Sequence, residues 1–298
     1  MMNRLIRKMG ISSDKVFYGV ITVFLALLGL VVLYPLIYVL SCSFSSAQSV
    51  MNGEVILFPT EFSLEGYKAV FRTNRVLIGF RNSVFYTVAG TLINLVMTTL
   101  AAYPLSRNDM PGRGKIMMLF TFTMIFGGGM IPNYLLIKDL HMLNTVWSIL
   151  IPGAISVYNM IVMRTFFQKS IPGELLEAAQ MDGCSDIKYL LQVVLPLAKS
   201  IFAVITLYYA VAHWNAYFNA FMYLMDDDMY PLQIFLKEIL VASKISAEMI
   251  DEVAVTNIGL EHILKYSLIV VATVPMLIIY PFVQKHFVKG VMIGAVKG

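Results

Sequence analysis

Glu177-Ala178-Ala179-Gln180-Met181-Asp182-Gly183, followed further on by Val193-Val194-Leu195-Pro196, lies in a loop between two long apolar segments. The stretch reads as two short helices, broken at Gly183 and stopped at Pro196. Glycine takes the left-handed conformation that ends a helix, and proline cannot continue one. Ser170-Ile171-Pro172 opens the first helix, since serine caps free N–H groups and proline tolerates the first turn. Glu174 and Glu177 near its start suit the helix dipole. Ser185-Asp186 caps the second helix, where Ile187, Leu190, Leu191 and Val194 repeat on one apolar face. Ala178 and Ala179 keep the first helix thin enough for a partner surface to approach closely. Glu177 and Asp182 offer charge to basic groups on that surface. As a mere connector, the hairpin would leave its alanines and leucines in water. The competing reading is a helix lying on a membrane. Such helices favour Lys, Arg and bulky apolar residues, whereas this one is acidic and small.

Working outward, the chain has 298 residues and is 58% apolar and 13% charged. Soluble proteins run at roughly 45–50% and about 25%, so this is a membrane composition. Six stretches, at 16–40, 82–106, 116–137, 145–163, 200–225 and 266–284, carry no charged residue. Each approaches the length of about 20 residues that crosses a bilayer. Each is expected to be helical, because hydrocarbon offers an open backbone no partners. Pro35, Pro104 and Pro281 sit near span ends, while Pro132, Pro152 and Pro275 lie further in and predict kinks. Gly127-Gly128-Gly129 falls inside the third span and reads as close packing or local flexibility.

An even number of spans puts both termini on one side. That side collects Arg4, Arg7, Lys8, Lys15, Arg107, Arg113, Lys115, Arg164, Lys169, Lys188, Lys199, Lys285, Lys289 and Lys297. Asp226, Asp227, Asp228, Glu248, Asp251, Glu252 and Glu261 fall opposite. The basic excess predicts cytoplasmic termini. The net charge of +4 is therefore an average over two opposed faces, and no nucleic-acid partner can be read from it. The first apolar segment is too long for a signal peptide and precedes no small-x-small cleavage site. Cys42 and Cys184 are expected on opposite sides of the membrane, which rules out a mutual disulfide, and a metal site needs more ligands.

Three parts are expected along the chain. Residues 1–80 hold a basic lead, the first span and an outer loop with a short helix at 65–71. Residues 81–285 form the transmembrane core, and residues 286–298 a glycine-rich tail. A second long outer segment, 226–261, has helical periodicity around Leu236–Leu240.

The chain is not expected to be an enzyme. Gly112-Arg113-Gly114-Lys115 lacks the spacing and the Ser/Thr of a phosphate-binding loop. His141, His213, His262 and His286 form no catalytic pair or metal pattern, so no cofactor or metal is expected on this chain. The spans hold no Asp, Glu, Lys or Arg in their interiors, where ion-coupled carriers commonly place them. That weakens the alternative of a secondary carrier. The fifth span is the candidate for lining a substrate path. Tyr208, Asn215 and Asn219 share one helical face, and Tyr209, His213 and Tyr217 the neighbouring one. Ser156 and Asn159 of the fourth span are candidates to join them. Aromatic rings stack on sugar C–H faces and amides bond hydroxyls, but the same residues serve equally as polar glue between helices.

The Glu-Ala-Ala, Gly and Leu-Pro spacing at Glu177, Ala178, Ala179, Gly183, Leu195 and Pro196 resembles the loop by which ABC-importer permeases dock on their ATPase subunits. Val193 stands where that motif usually has isoleucine. From about Arg81 onward the chain is similar to the carbohydrate-uptake permeases, the group of the smaller maltose-importer permease. Asn144-Thr145-Val146-Trp147, Asn159-Met160-Ile161-Val162-Met163-Arg164-Thr165-Phe166-Phe167, His213-Trp214-Asn215, Tyr230-Pro231-Leu232-Gln233 and the ending Val288–Gly298 resemble its branch for larger oligosaccharides. The resemblance implies an all-α integral membrane fold of six spans with a coupling-helix hairpin, the type I importer permease fold. It implies a second homologous permease, two ATPase subunits that bind ATP and magnesium, a solute-binding protein and an oligosaccharide cargo. A permease of the same class for a non-sugar solute is the nearer alternative. The segment 226–261 is then expected to touch the binding protein. The tail 289–298, with Val291, Met292, Ile293 and Val296, is expected to touch the ATPases.

Overall fold

The computed structural model describes residues 13–248 and 262–281, and among these no strand occurs. Most of the basic lead, part of the second outer segment and the C-terminal tail lie outside the described residues. The helices are α1 (Ser13–Ser43), α2 (Ala47–Met51), α3 (Glu65–Arg72), α4 (Asn74–Ser106), α5 (Arg113–Ile125), α6 (Met130–Asp139), α7 (Trp147–Leu150) and α8 (Val157–Ser170). They continue with α9 (Gly173–Met181), α10 (Asp186–Leu197), α11 (Lys199–Asn215), α12 (Phe218–Tyr223), α13 (Leu232–Glu248) and α14 (His262–Pro281).

Three helices, α1, α4 and α14, are each long and apolar enough to cross a membrane. Two bent pairs raise the number to as many as five. The third apolar stretch is one such pair: α5 and α6 meet at 113°. The bend lies at the glycine triplet, where Gly129 adopts φ +84°, so those glycines are the break itself and not packing sites within a straight helix. Pro132 sits in the first turn of α6, where a missing N–H costs nothing, and kinks nothing. The fourth stretch is also interrupted: Pro152 falls in the non-helical stretch between α7 and α8. The fifth ends at Asn215 and resumes at Phe218.

The described residues form two compact units, 13–72 with 239–248 and 262–271, and 73–238 with 272–281. In the first, α1 is exposed from Val16 to Leu36 and becomes buried towards its end at Ser41, Cys42 and Ser43. Ser41 Oγ donates to Leu57 O at 2.6 Å, and Phe44 packs against both Phe62 and Tyr67. A side chain at Gly66 would meet Ser267 Oγ at 2.2 Å, so glycine is what lets α3 approach that part of α14.

In the second unit α4 is the spine. Its buried face is polar, with Ser83, Thr87, Thr91, Asn94, Thr98 and Thr99, while Val88, Leu92, Val96 and Leu100 point outward. A soluble helix buries the opposite set. An outward apolar face is what hydrocarbon surroundings favour, although the Thr87 and Thr91 hydroxyls find no partner among the described residues. One apolar core joins the end of α4 to α8, α10 and α11 through Tyr103, Met160, Met163, Phe167, Tyr189, Val194 and Ile205. A second gathers Tyr86, Ile149, Leu150, Ala220, Leu224 and Ile234 around the opposite half of α4.

Candidate functional sites: a surface hairpin and an interior cavity

The hairpin forms as two short helices around Gly183. α9 ends in a hydrogen-bonded reversal: Cys184 N–H donates to Ala179 O at 2.9 Å and Gly183 N–H to Gln180 O at 3.0 Å. That pattern needs a left-handed residue at its centre, and Gly183 supplies it at φ +72°. Ser185 caps α10 by accepting from Lys188 N–H at 3.4 Å. Ser170, in contrast, does not cap α9. It is the last residue of α8, and Pro172 holds the N-cap position without a side-chain bond.

The apolar face expected on the second helix is divided. Leu190 and Val194 are buried, while Ile187 and Leu191 are exposed. A wide π turn runs over Leu190–Val194 and departs from the 3.6-residue repeat on which that face is drawn. Pro196 lies just past this turn and has no N–H to return to the preceding one. The chain then swings by 84° into α11 at Ala198, with Leu195 and Pro196 in the last turn of α10 before the corner.

α9 buries none of its residues. Met181 is 89% exposed and Ile187 72%. Glu174, Glu177, Ala178 and Asp182 are exposed and Ala179 half-buried. None of the three carboxylates has an ion-pair partner among the described residues. Behind the hairpin a cleft of about 430 Å³ is lined by Arg107, Gln168, Leu176, Glu177, Gln180 and Tyr189.

Arg107 holds the hairpin to the end of α4, and no sequence pattern assigns it a role in the site. Its guanidinium forms an ion pair with Asp186, the first residue of α10. It donates to both Asp109 oxygens, at 2.9 and 2.5 Å, and to Tyr103 Oη at 3.2 Å. These hydrogen bonds, Asp109's foremost, hold the guanidinium well above its ordinary range, and Arg107 in turn holds the Asp109 carboxyl below its own. The last carbonyls of α4 are taken as well. Arg164 Nε donates to Leu105 O at 2.8 Å, Gln168 to Ser106 O at 3.2 Å and Arg113 to Arg107 O at 2.9 Å.

The second site is a cavity of about 270 Å³ inside the helices, lined by Tyr86, Asn94, Gly153, Ser156, Asn159, Tyr209, His213 and Asn219, with apolar neighbours. Five of the eight residues expected on a substrate path thus meet. Tyr208 and Asn215 do not line it. Both are exposed, and Asn215 donates to Val211 O at 2.9 Å within its own helix. The face predicted for 208, 215 and 219 assumes an unbroken helix, and the break at Ala216–Tyr217 takes Asn219 out of register. Tyr217 and Phe221 instead receive the Lys237 ammonium, at 4.7 and 4.5 Å from their ring centres.

The cavity forms at the interrupted fourth stretch. Asn94 donates to Gly153 O at 2.6 Å, and its carbonyl oxygen lies 2.5 Å from His213 Nε2. The imidazole therefore carries its proton on Nε2 as donor. Tyr209 Oη accepts from Ser156 N–H at 3.0 Å and lies 2.6 Å from Thr98 Oγ1. The phenol thus bridges the Ser156 backbone and the Thr98 hydroxyl. Asn94, Tyr86 and Gly153 are not among the residues the sequence singles out. The stripe Ser83, Thr87, Thr91, Asn94, Thr98, recurring every third or fourth residue in an apolar span, is the signal that marks that face.

No family model matches the chain. Whole-chain relatives do. The polygalacturonan/rhamnogalacturonan transport system permease protein YtcP of Bacillus subtilis is 41% identical over 96% of this chain and 98% of its own. The protein LplC of the same organism is 39% identical over 96% and 97%. A crystal structure of a bacterial ABC transporter involved in the import of the acidic polysaccharide alginate contains a chain with TM-score 0.84 and 36% identity, covering 92% of this chain and 98% of that one. An all-helical fold, an outward apolar face on the central span and near end-to-end likeness to these proteins place the chain: it belongs to the family of permease subunits of ABC transport systems.

Proposed function

We propose that the chain is one of two homologous membrane subunits of a bacterial importer that carries an oligosaccharide across the cytoplasmic membrane by alternating access. Six spans put both termini in the cytoplasm, with α5–α6, α7–α8 and α11–α12 acting as bent or broken spans. The hairpin at Glu174–Pro196 docks on an ATPase subunit, which binds ATP and magnesium, while this chain binds neither. Closure of two such ATPases pulls the hairpins and turns the spans outward. A solute-binding protein then delivers sugar to a path lined by Ser156, Asn159, Tyr209, His213 and Asn219. Tyr208 and Asn215, exposed outside the cavity, have no part in that path. The cargoes named for the relatives, galacturonans and alginate, support a sugar polymer fragment as the solute.

The observation that carries the docking reading is the hairpin surface. A helix with no buried residue, an 89% exposed Met181 and three carboxylates without ion-pair partners among the described residues make a surface that a basic, apolar-lined partner would complete. Gly183→Val forces a β-branched residue into the left-handed region, at roughly 1–3 kcal/mol. Glu177→Lys reverses a contact charge. Both are expected to insert normally and to abolish transport in the assembled complex. Wild-type transport by either variant would remove the docking assignment.

A further inference from the structure

A groove of about 440 Å³ lies between the end of α4 and the second helix of the hairpin, α10. We infer that it holds an acyl chain of a membrane phospholipid, and that α10 is seated in the bilayer while α9 alone is left to the ATPase. The inference narrows the docking proposed above and can fail without it.

Much of the groove is aliphatic. Leu100 and Pro104 come from α4, Met110 from the turn after it, and Ile187 and Leu190 from α10. The two α4 residues do not stand alone. They continue the series Val88, Leu92, Val96, every fourth residue along the outward face of a helix long and apolar enough to cross a membrane. Residues four apart lie one above the other on a helix, so the stripe runs without a break into the groove. What covers the stripe reaches the groove as well, and on that face it is hydrocarbon.

α10 supplies the other wall. Ile187 and, one turn on, Leu191 are both exposed, and large aliphatic side chains turned out together mark an interaction surface. The acids and alanines that argue against a membrane-lying helix belong to α9. α10 has one acid, Asp186, and Arg107 pairs with it. Lys188, beside Ile187, has no ion-pair partner among the described residues. A lysine next to aliphatic residues that face lipid extends its stem along them and keeps its ammonium among the headgroups.

The groove also changes polarity along its length. From Leu100 through Pro104 to Arg107, α4 passes from apolar to charged over about 10 Å at 1.5 Å per residue. Asp109 and Asp186, both exposed, line the groove with Arg107. A phospholipid has the same profile, with its chain against the aliphatic part and its headgroup level with the charges. A protein segment laid there would have to cover the charged part too, and water would wet the aliphatic part.

The test places nitroxide labels in the assembled transporter, in proteoliposomes of phosphatidylethanolamine and phosphatidylglycerol. Cys184→Ser removes the accessible thiol of this chain, since Cys42 is buried. Labels go on Ile187→Cys and on Met110→Cys, and the second answers by itself should the first not assemble. Collisions with oxygen report hydrocarbon, and collisions with a water-soluble nickel chelate report water. A phospholipid labelled on its acyl chain is the lipid standard. Glu54→Cys, exposed in the first outer segment, is the water standard. Both groove labels are expected to meet oxygen as the lipid standard does. The chelate should reach them at least about tenfold less often than it reaches position 54, the scale on which hydrocarbon excludes a polar solute. Chelate access equal to that at position 54 would make the groove aqueous. Exclusion of both reagents would mean a protein cover, the C-terminal tail if deleting residues 289–298 restores access and another subunit if it does not. Either result overturns the proposal. A label on Met181→Cys tests the docking reading separately: if the chelate still reaches it in the complex, α9 is not docked, whatever fills the groove.

Discussion

Arg107 offers a quantitative test of how the hairpin acts on the spans. Its side chain is 12% exposed, whereas Asp109 and Asp186 are 57% and 65% exposed. Arg107→Gln would let both carboxylates rehydrate, so their loss costs little beyond the bonds themselves. Only one of the two pairs joins separate elements: Asp109 is two residues along the same strand of chain, and Asp186 opens α10. A solvent-screened pair of this kind is worth about 1 kcal/mol, which is about fivefold in the population with hairpin and α4 locked together. From Arg107 to Asn94 the spine runs about 20 Å at 1.5 Å per residue, from the hairpin to the cavity. Arg107→Gln and Asp186→Asn are therefore expected to hydrolyse ATP in the reconstituted complex yet move about fivefold less sugar per ATP. Asp109→Asn is expected to keep the wild-type ratio. An unchanged ratio in Asp186→Asn would refute the lever. Acid acts on the other pair. Because Asp109 is held below the ordinary carboxyl value by Arg107, what that pair adds to the stability of the end of α4 is complete above about pH 4 and fades as pH falls through the lowered value. Raising the pH should not loosen it, since Arg107 stays charged.

Two further outcomes concern the cavity wall. Gly90→Ala would put a methyl carbon 2.5 Å from the His213 ring and should cost roughly 1–3 kcal/mol by overpacking, read as a lower melting temperature of the purified complex; adding His213→Ala should recover part of it, and additive losses would mean that the two residues do not meet. Tyr209→Phe strands the Ser156 N–H and the Thr98 hydroxyl and should cost about 1–3 kcal/mol in the same assay, so an unaltered melting point would rule out the bridge.

Much of this architecture is legible in the residues, and the failures have physical causes. The hairpin can be read because its signals are local: Gly183 must sit at positive φ, and Ser185 must cap the second helix. Ser170 misleads because a serine before Ile-Pro can close one helix as readily as open the next, and α8 simply runs on to reach it. Charge-free runs mark the apolar stretches but not their bends, since neither the glycine triplet nor Pro152 disturbs hydropathy. The candidate path comes out five residues in eight, because a helical wheel is reliable only while the helix lasts, and α11 stops at Asn215. Arg107 carries no pattern at all. Its partners are brought to it by the fold, and Asp186 is far away in sequence.

The interrupted fourth stretch also constrains the order in which the protein can be made. Its backbone at Gly153 and Ser156 is open in the middle of an apolar run, and lipid cannot satisfy such groups. Gly153 O finds its partner in Asn94, on a helix already synthesised when this stretch leaves the ribosome. Ser156 N–H depends on Tyr209, which has not yet been made. The segment must therefore wait, half satisfied, beside α4 in the insertion machinery or a water-filled vestibule until α11 arrives. On the six-span reading proposed above, the break that shapes a cavity in the finished protein would make the nascent chain insert its later spans together, as a set.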